Sequence, residues 1–152
     1  MAEGQTEGAT ALTPGLSSQD EHLAFPSYPP TILLVEDEEA LLEITSLFLT
    51  TLEFNVITAS SGQEAITKFL KNRTSINFLL TDILMPGMDG FQLAQTLLKL
   101  EPELKVIFMS GYSAGVFPGN TIEHFLQKPF TREALAKKIA AVMAESSVRV
   151  TH

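Results

Sequence analysis

From Thr31 to about residue 145, short apolar runs alternate with longer amphipathic segments. The apolar runs have the length of buried strands, and five of them occur: 31–35, 54–58, 76–81, 105–109 and 123–127. Apolar residues at helical spacing predict helices between and after these runs: about 38–52, 61–71, 90–100 and a closing helix after Thr131. We expect the leucine, phenylalanine and methionine residues at this spacing to be core residues.

Strands joined by helix-length crossovers pair in parallel, with right-handed connections. The pattern therefore predicts an α/β fold of the flavodoxin-like type, a five-stranded parallel sheet in the order 2-1-3-4-5 with helices on both faces. One crossover departs from the pattern, because glycine and proline interrupt the stretch from Ser110 to His124. We expect its helix, the fourth, to be short or irregular.

Local sequence signals mark three of the predicted helix boundaries. Ser61 and Glu64 have the spacing of a capping box and predict the start of a helix. Pro102 predicts that the preceding helix ends by Glu101, since proline disfavours helix in the residue before it. Thr131 can cap the closing helix, and the inner face of this helix is formed by Leu135, Ile139, Val142 and Met143.

Composition suits one globular domain with a tail. The chain has 152 residues, 45% of them hydrophobic. Residues 1–30 are rich in polar residues, glycine and proline and predict a flexible tail or linker. The domain is expected over 31–145, with a C-terminal tail at 146–152. No output domain fits after Glu145, so we expect a stand-alone domain or a fragment of a larger regulator.

Charge and cysteine content exclude several classes of function. The net charge of −8 argues against nucleic acid as a direct partner, because phosphate backbones require lysine and arginine. No run of about 18 apolar residues occurs, so no membrane span is expected. The first 20 residues lack the features of a secretory signal. The absence of cysteine fits a reducing cytoplasm, which is the expected location.

Polar residues follow four of the predicted strands. They are Glu36 and Asp37 after the first, Asp82 after the third, Ser110 after the fourth and Lys128 after the fifth. Parallel strands deliver their carboxyl ends to one edge, where open α/β sheets bind ligands. Three carboxylates on one rim repel one another, and a hard divalent cation such as Mg²⁺ relieves that repulsion.

Each of these residues has an ordinary interpretation when taken alone. The Glu36–Asp37 pair could be the acidic start of a helix, where carboxylates complement the helix dipole. Asp82 could be a turn residue before Met85 and Pro86, and Lys128 could be a solvated lysine. Their joint placement behind strands favours a functional site.

In combination and in this order, the motifs resemble those of response-regulator receiver domains (CheY-like), most of all receivers of hybrid sensor histidine kinases. The matching pieces are Val35-Glu36-Asp37, Thr81 to Gly90, Met109-Ser110-Gly111-Tyr112 and Lys128-Pro129-Phe130. The resemblance implies a phosphoacceptor in a two-component phosphorelay, with a histidine kinase or histidine phosphotransfer domain as partner. A hybrid histidine kinase could be the parent chain, and a homodimer is left open.

The resemblance also implies a role for each matching residue. Asp82 becomes the phosphorylated nucleophile, with Lys128 and Ser110 binding the phosphoryl group. Asp37 and Asp82 are expected to bind Mg²⁺ directly, together with the backbone carbonyl of Leu84, and Glu36 through water.

Further residues are expected to govern switching and signal lifetime. Ser110 and Phe125 occupy the switch positions of the family. Leu84 and Tyr112 lie where relatives often carry residues that position the attacking water. Leucine and a bulky tyrosine position water poorly, so slow self-dephosphorylation is expected.

Two other functions remain as alternatives. A pseudo-receiver would keep the fold and bind proteins without being phosphorylated, but such chains usually lose one of the acidic or lysine residues that are present here. A haloacid-dehalogenase-like phosphatase would need a second aspartate two positions after the nucleophile, where this chain has Leu84.

Overall fold

The computed structural model describes residues 29–117, 119 and 122–150, with side chains up to residue 145. It contains one parallel sheet of five strands: β1 (Thr31–Val35), β2 (Asn55–Ala59), β3 (Ile76–Asp82), β4 (Lys105–Ser110) and β5 (Phe125–Gln127). The strand order is β2-β1-β3-β4-β5, which confirms the predicted order 2-1-3-4-5. Each strand lies within two residues of its predicted position.

Four α-helices connect or follow the strands within the described residues. They are α1 (Glu39–Thr51), α2 (Gly62–Lys71), α3 (Gly90–Leu100) and α4 (Arg132–Val150). The central strands β1 and β3 are almost entirely buried, as strands covered on both faces should be. The flavodoxin-like fold class predicted from the sequence is confirmed.

Side-chain caps fix the starts of α2, α3 and α4, whereas α1 begins after Glu38 without one. The Ser61 hydroxyl accepts a hydrogen bond from the Glu64 backbone N–H, as its spacing predicts. The Glu64 carboxylate turns to the Ser60 backbone N–H at 2.7 Å rather than to that of Ser61. Thr131 caps α4 by accepting from the Ala134 N–H at 3.0 Å. Each such cap contributes about 1 kcal/mol to helix stability.

Asp89 is the N-cap residue of α3 and forms a full capping box that was not predicted from the sequence. Its side chain accepts from the Gln92 N–H, and the Gln92 side chain accepts from the Asp89 N–H, both at 2.9 Å. The helix ends at Leu100, one residue before Glu101, as the following proline predicts.

The crossover between β4 and β5 lacks an α-helix in its described residues. These residues contain a single 3₁₀ turn, Ala114–Val116, which confirms the prediction of a short or irregular fourth helix. The turn has no side-chain cap. Phe117 packs its ring edge-on against Phe91 of α3, with 5.7 Å between ring centroids, and so attaches the crossover to the core.

The core lies between the sheet and its helices and is built largely from β1, β3 and β4. Leu33 and Leu79 are completely buried, as is Phe69 of α2. Burying a side chain of this size stabilises the fold by about 1.5–3 kcal/mol. Leu135, Ile139 and Val142 of α4 are also buried, as their spacing predicts. This packing holds the carboxyl ends of the strands in place.

The expectation that apolar residues at helical spacing are core residues is wrong for part of α1. Leu41, Ile44 and Leu47 are 37%, 49% and 59% exposed, whereas Thr45 and Leu49 are buried. Apolar residues occur on every side of this helix, so periodicity alone does not select the inner face. Packing against the sheet determines which face of α1 is buried, and this packing leaves an apolar strip of the helix on the surface.

The limits of the domain remain a prediction. Residues 29–142 form one compact unit. The proposed N-terminal tail lies outside the described residues, except for Pro29 and Pro30. Helix α4 continues to Val150, through positions that the sequence pattern assigned to a C-terminal tail. No helix among the described residues is long and apolar enough to cross a membrane.

Candidate functional site

Three carboxylates meet where β1 and β3 end. Glu36 follows β1 and is 1% exposed, Asp82 ends β3 and is 7% exposed, and Asp37 is exposed to solvent. One oxygen atom from each of the three lies within 4.8 Å of the others. Carboxylate oxygens at this separation suit a hard cation such as Mg²⁺, which takes oxygen ligands and retains waters. The structure thus brings together the three predicted acidic ligands.

Lys128 supplies the positive charge of this cluster. Its Nζ lies 2.7 Å from Oε1 of Glu36 and 3.4 Å from Oδ1 of Asp82. Burial alone would lower the pKa of Lys128, but the hydrogen bond to Glu36 and the charge of Asp82 more than offset it, so the pKa is raised above its usual value. The ammonium group therefore stays charged beside Asp82.

The carboxyl of Asp82 has a perturbed pKa. Burial raises the pKa of its carboxyl from 3.8 to about 6, with a further rise from the charge of Glu36, and Lys128 compensates only in part. A carboxyl that is ionised at neutral pH but poorly neutralised gains from a bound cation. A cation bound at this site would therefore stabilise the ionised form of Asp82.

Ser110 lies at the end of β4 and is 1% exposed. Its hydroxyl oxygen accepts a hydrogen bond from the Tyr112 backbone N–H at 3.0 Å, and its carbonyl accepts from the Lys128 N–H at 2.8 Å. Both Ser110 and Lys128 border the same groove as Asp82. The four strand ends thus deliver every predicted reactive group to one edge of the sheet.

This groove has a volume of about 680 Å³ and extends from the carboxylates along α1. Its far wall is apolar, formed by Leu41, Ile44 and Phe48 of α1 and by Phe130 after β5. An exposed apolar surface of this kind beside a reactive group is typical of a binding surface. It was not predicted from the sequence, because the exposure of the α1 residues depends on how the helix packs.

The residues predicted to modulate the site border it or lie near it. Leu84 and Tyr112 border the groove and are 50% and 57% exposed. Phe125, at the start of β5, is partly buried and packs against the core. The roles of Leu84 and Tyr112 in signal lifetime, of the Leu84 carbonyl in metal binding and of Phe125 in switching stay predictions.

Gly90 supports the site in a way that was not predicted from the sequence. A β-carbon at this position would lie 2.3 Å from the carbonyl oxygen of Asp82. The Gly90 N–H also donates to the Ile83 carbonyl at 2.8 Å. The start of α3 therefore touches the backbone of the strand end that carries Asp82. The Asp-Gly pair before a predicted helix was the available signal.

Comparison with known proteins gives a consistent result. The model of a family described as the response regulator receiver domain matches residues 32–140. Sensor kinase CckA of Brucella abortus is 34% identical over 117 residues, which cover 74% of this chain and 12% of that protein. Transcriptional regulatory protein GlrR of Escherichia coli is 31% identical over 78% of this chain and 27% of its own length. The chain thus spans only a small part of these relatives.

Solved structures show the same likeness. A CheY-like receiver domain protein from Methanospirillum hungatei is 29% identical and superposes with a TM-score of 0.70, covering 80% of this chain and 98% of its own. Response regulator protein TrrA from Thermotoga maritima, solved in complex with Mg²⁺ and a beryllium fluoride, is 26% identical with a TM-score of 0.67. That match covers 74% of this chain and 98% of the TrrA chain.

Proposed function

Because the chain belongs to the response regulator receiver domain family of two-component signalling, we propose that it is a working phosphoacceptor that takes a phosphoryl group onto Asp82. The single observation that supports this most strongly is the meeting of Asp82 with two further carboxylates and Lys128 at one sheet edge. The donor is a phosphohistidine on a histidine kinase or histidine phosphotransfer domain. The same cluster retains every group whose loss would favour a pseudo-receiver.

The transfer itself needs a nucleophile and positive charge. A carboxylate oxygen of Asp82 attacks phosphorus, the P–N bond of the phosphohistidine breaks, and the imidazole leaves with the bonding electron pair. The phosphoryl oxygens then lie near Lys128 and the Ser110 hydroxyl, which neutralise and hydrogen-bond the developing charge. The product is an aspartyl phosphate, whose new charge is the signal.

Mg²⁺ is the cofactor of this proposal, since Glu36, Asp37 and Asp82 offer the oxygen ligands that it prefers. Bound there, it would supply positive charge to the phosphoryl oxygens. TrrA, which is similar to this chain, was solved with Mg²⁺ and a beryllium fluoride. Asp37 and Asp82 are proposed as direct ligands with the Leu84 carbonyl, and Glu36 as a ligand through water.

The donor reaches Asp82 through the groove, because the groove is where Asp82 borders open space. Its apolar α1 wall suits a protein surface, whereas the net charge of −8 argues against direct contact with nucleic acid. Ser110 and Phe125 are proposed to pass the signal on, by moving together when the phosphoryl group arrives.

We expect the full chain to gain the mass of one phosphoryl group when it is incubated with acetyl phosphate and Mg²⁺. The physical reason is that Mg²⁺ and Lys128 together neutralise the charge of the incoming group. Intact-mass spectrometry measures the gain, and beryllofluoride binding provides a second readout. EDTA should prevent both. The proposed function would be contradicted if the wild-type protein neither gained this mass nor bound beryllofluoride while its circular dichroism spectrum showed that it was folded.

A Leu84→Asn substitution is expected to shorten the lifetime of the aspartyl phosphate by about tenfold or more. The leucine side chain is 50% exposed beside the site and offers no hydrogen bond to an attacking water. An asparagine amide can hold that water in line with phosphorus. The decay of phosphorylated protein, followed by intact mass after donor removal, measures this lifetime.

The matched control for this substitution is Leu47→Asn, because Leu47 is 59% exposed on α1 and is not part of the groove wall. It should leave the lifetime unchanged. A wild-type lifetime of seconds, or equal decay of Leu84→Asn and the wild type, would show that Leu84 does not slow dephosphorylation.

A further inference from the structure

The loop after β4 is not fixed by a side-chain cap of the element that follows it. The loops that lead into α2 and α3 are tied by Ser61 and Asp89, which cap those helices. The loop Ser110–Tyr112 leads instead into the 3₁₀ turn, and the side chain of Ser113 before that turn makes no capping hydrogen bond. Gly111 has open space around it, since a β-carbon added there would meet no atom within 4 Å beyond its chain neighbours.

Gln127 of the neighbouring strand β5 makes a side-chain hydrogen bond to this loop. It pairs in register with Ser110, so its side chain reaches one residue beyond the end of β4. Its amide Nε2 donates a hydrogen bond to the carbonyl oxygen of Gly111 at 3.0 Å. The bond thus joins a side chain of β5 to the backbone of this loop.

The bond acts on Ser110 through a single rigid unit. The carbonyl of Gly111 and the N–H of Tyr112 belong to the same planar peptide group, so fixing one fixes the other. That Tyr112 N–H donates to the Ser110 hydroxyl oxygen at 3.0 Å. A continuous hydrogen-bond chain therefore runs from the Gln127 amide through one peptide group to the Ser110 hydroxyl, and such chains strengthen each member.

We propose that Gln127 is a positioning residue for phosphoryl binding, acting through the Gly111–Tyr112 peptide on the hydroxyl of Ser110. A serine hydroxyl has one proton and two acceptor sites. Because the Tyr112 N–H occupies an acceptor site, the hydroxyl proton is left to donate to a phosphoryl oxygen. The inference rests on the proposed function of Asp82 and adds to it a residue that does not touch the phosphoryl group.

Gln127→Met removes the donor at nearly constant length, and Gln127→Lys restores a donor. The matched control is Gln95→Met, which changes an exposed glutamine on α3. The first measurement needs no phosphoryl analogue: the chemical shift and hydrogen-exchange rate of the Tyr112 amide by NMR. We expect exchange to be faster by about fivefold or more in Gln127→Met and close to wild type in the other two variants.

The second measurement is the dissociation constant of beryllofluoride at saturating Mg²⁺, together with the dissociation constant of Mg²⁺ alone. For Gln127→Met we expect beryllofluoride to bind about 5- to 10-fold more weakly, the loss of roughly one hydrogen bond's contribution. Mg²⁺ affinity should not change, because the hydrogen bond described for Gln127 goes to Gly111 and not to a carboxylate of the cluster. The urea midpoint should stay close to that of the wild type, because the lost bond is exposed to water. Gln127→Lys should recover most of the affinity.

The two measurements separate the outcomes. An unchanged Tyr112 amide in Gln127→Met would overturn the hydrogen-bond chain, whatever the beryllofluoride result. A changed amide with unchanged beryllofluoride affinity would overturn the positioning role. If the wild-type protein bound no beryllofluoride, the proposed function of Asp82 would fail, and with it the role of Gln127 in phosphoryl binding, while the amide result would still decide whether the chain of bonds exists.

Discussion

An Asp82→Asn substitution is expected to abolish phosphoryl acceptance and, at the same time, to stabilise the metal-free protein at pH 7 by about 2–3 kcal/mol. The loss of function follows because the amide oxygen is not a nucleophile of carboxylate strength. The gain in stability follows because the ionised carboxylate is destabilising where it stands. It is 7% exposed beside Glu36, and Lys128 neutralises it only in part.

The direction of the pH dependence follows from the same shift. The folded protein raises the pKa of Asp82 from 3.8 to about 6, so between these values it binds more protons than the unfolded chain does. Its free energy of unfolding therefore falls as the pH rises through this window and stays lowered above pH 6. Asparagine does not titrate, so the free energy of unfolding of the variant should fall less than that of the wild type as the pH rises through this window.

Urea denaturation in EDTA at several pH values between about 4 and 7 measures this effect, and intact mass measures the loss of phosphorylation. Asp89→Asn is the matched control, because asparagine caps a helix about as well as aspartate and Asp89 lies outside the carboxylate cluster. An Asp82→Asn protein less stable than the wild type at pH 7 would show that Asp82 is well neutralised. Phosphorylation that persists in the variant would show that a residue other than Asp82 accepts the phosphoryl group.

A Gly90→Ala substitution is expected to destabilise the protein by about 3–4 kcal/mol, a large effect for one methyl group. The added β-carbon would lie 2.3 Å from the Asp82 carbonyl oxygen and 3.0 Å from the Ile83 Cα. Both contacts are backbone atoms at the end of β3, so no side-chain rotation relieves them. Helix α3 would have to move away from the strand and lose the Gly90–Ile83 hydrogen bond.

Equilibrium unfolding of the full chain measures this cost. Gly115→Ala is the matched control, because a β-carbon there meets no atom within 4 Å, and its stability should stay close to that of the wild type. Any folded Gly90→Ala protein should also bind beryllofluoride more weakly, since the shift displaces the Asp82 backbone. A stability change below about 1 kcal/mol would mean that α3 adjusts freely.

The sequence predicts the sheet and the reactive groups well, because both depend on local patterns. Apolar runs place β1 and β3, and a polar residue at the end of a strand can only lie at that edge of a parallel sheet. Glu36, Asp82 and Lys128 are therefore brought together as predicted. The proline and glycines of the fourth crossover correctly predict that its helix is short or irregular.

Features that depend on packing could not be predicted in this way. The exposure of Leu41 and Ile44 follows from which side of α1 meets the sheet, and apolar residues on all sides leave that choice open. The contact of Gly90 with Asp82 depends on the separation of α3 and β3. The bond from Gln127 to Gly111 joins an ordinary surface residue to a backbone atom, and no pattern in the sequence marks it.

The strand order has a consequence for how the protein is made. Synthesis runs from the amino terminus, so β1, β2 and β3, which are neighbours at one side of the sheet, leave the ribosome before β4 and β5. Glu36, Asp37 and Asp82 all belong to this earlier part of the chain. Their only close ammonium group among the described residues, that of Lys128, follows 46 residues after Asp82. A chain synthesised only as far as Asp82 therefore carries these three carboxylates without their ammonium partner, and dissolved salt would screen their repulsion until Lys128 is added.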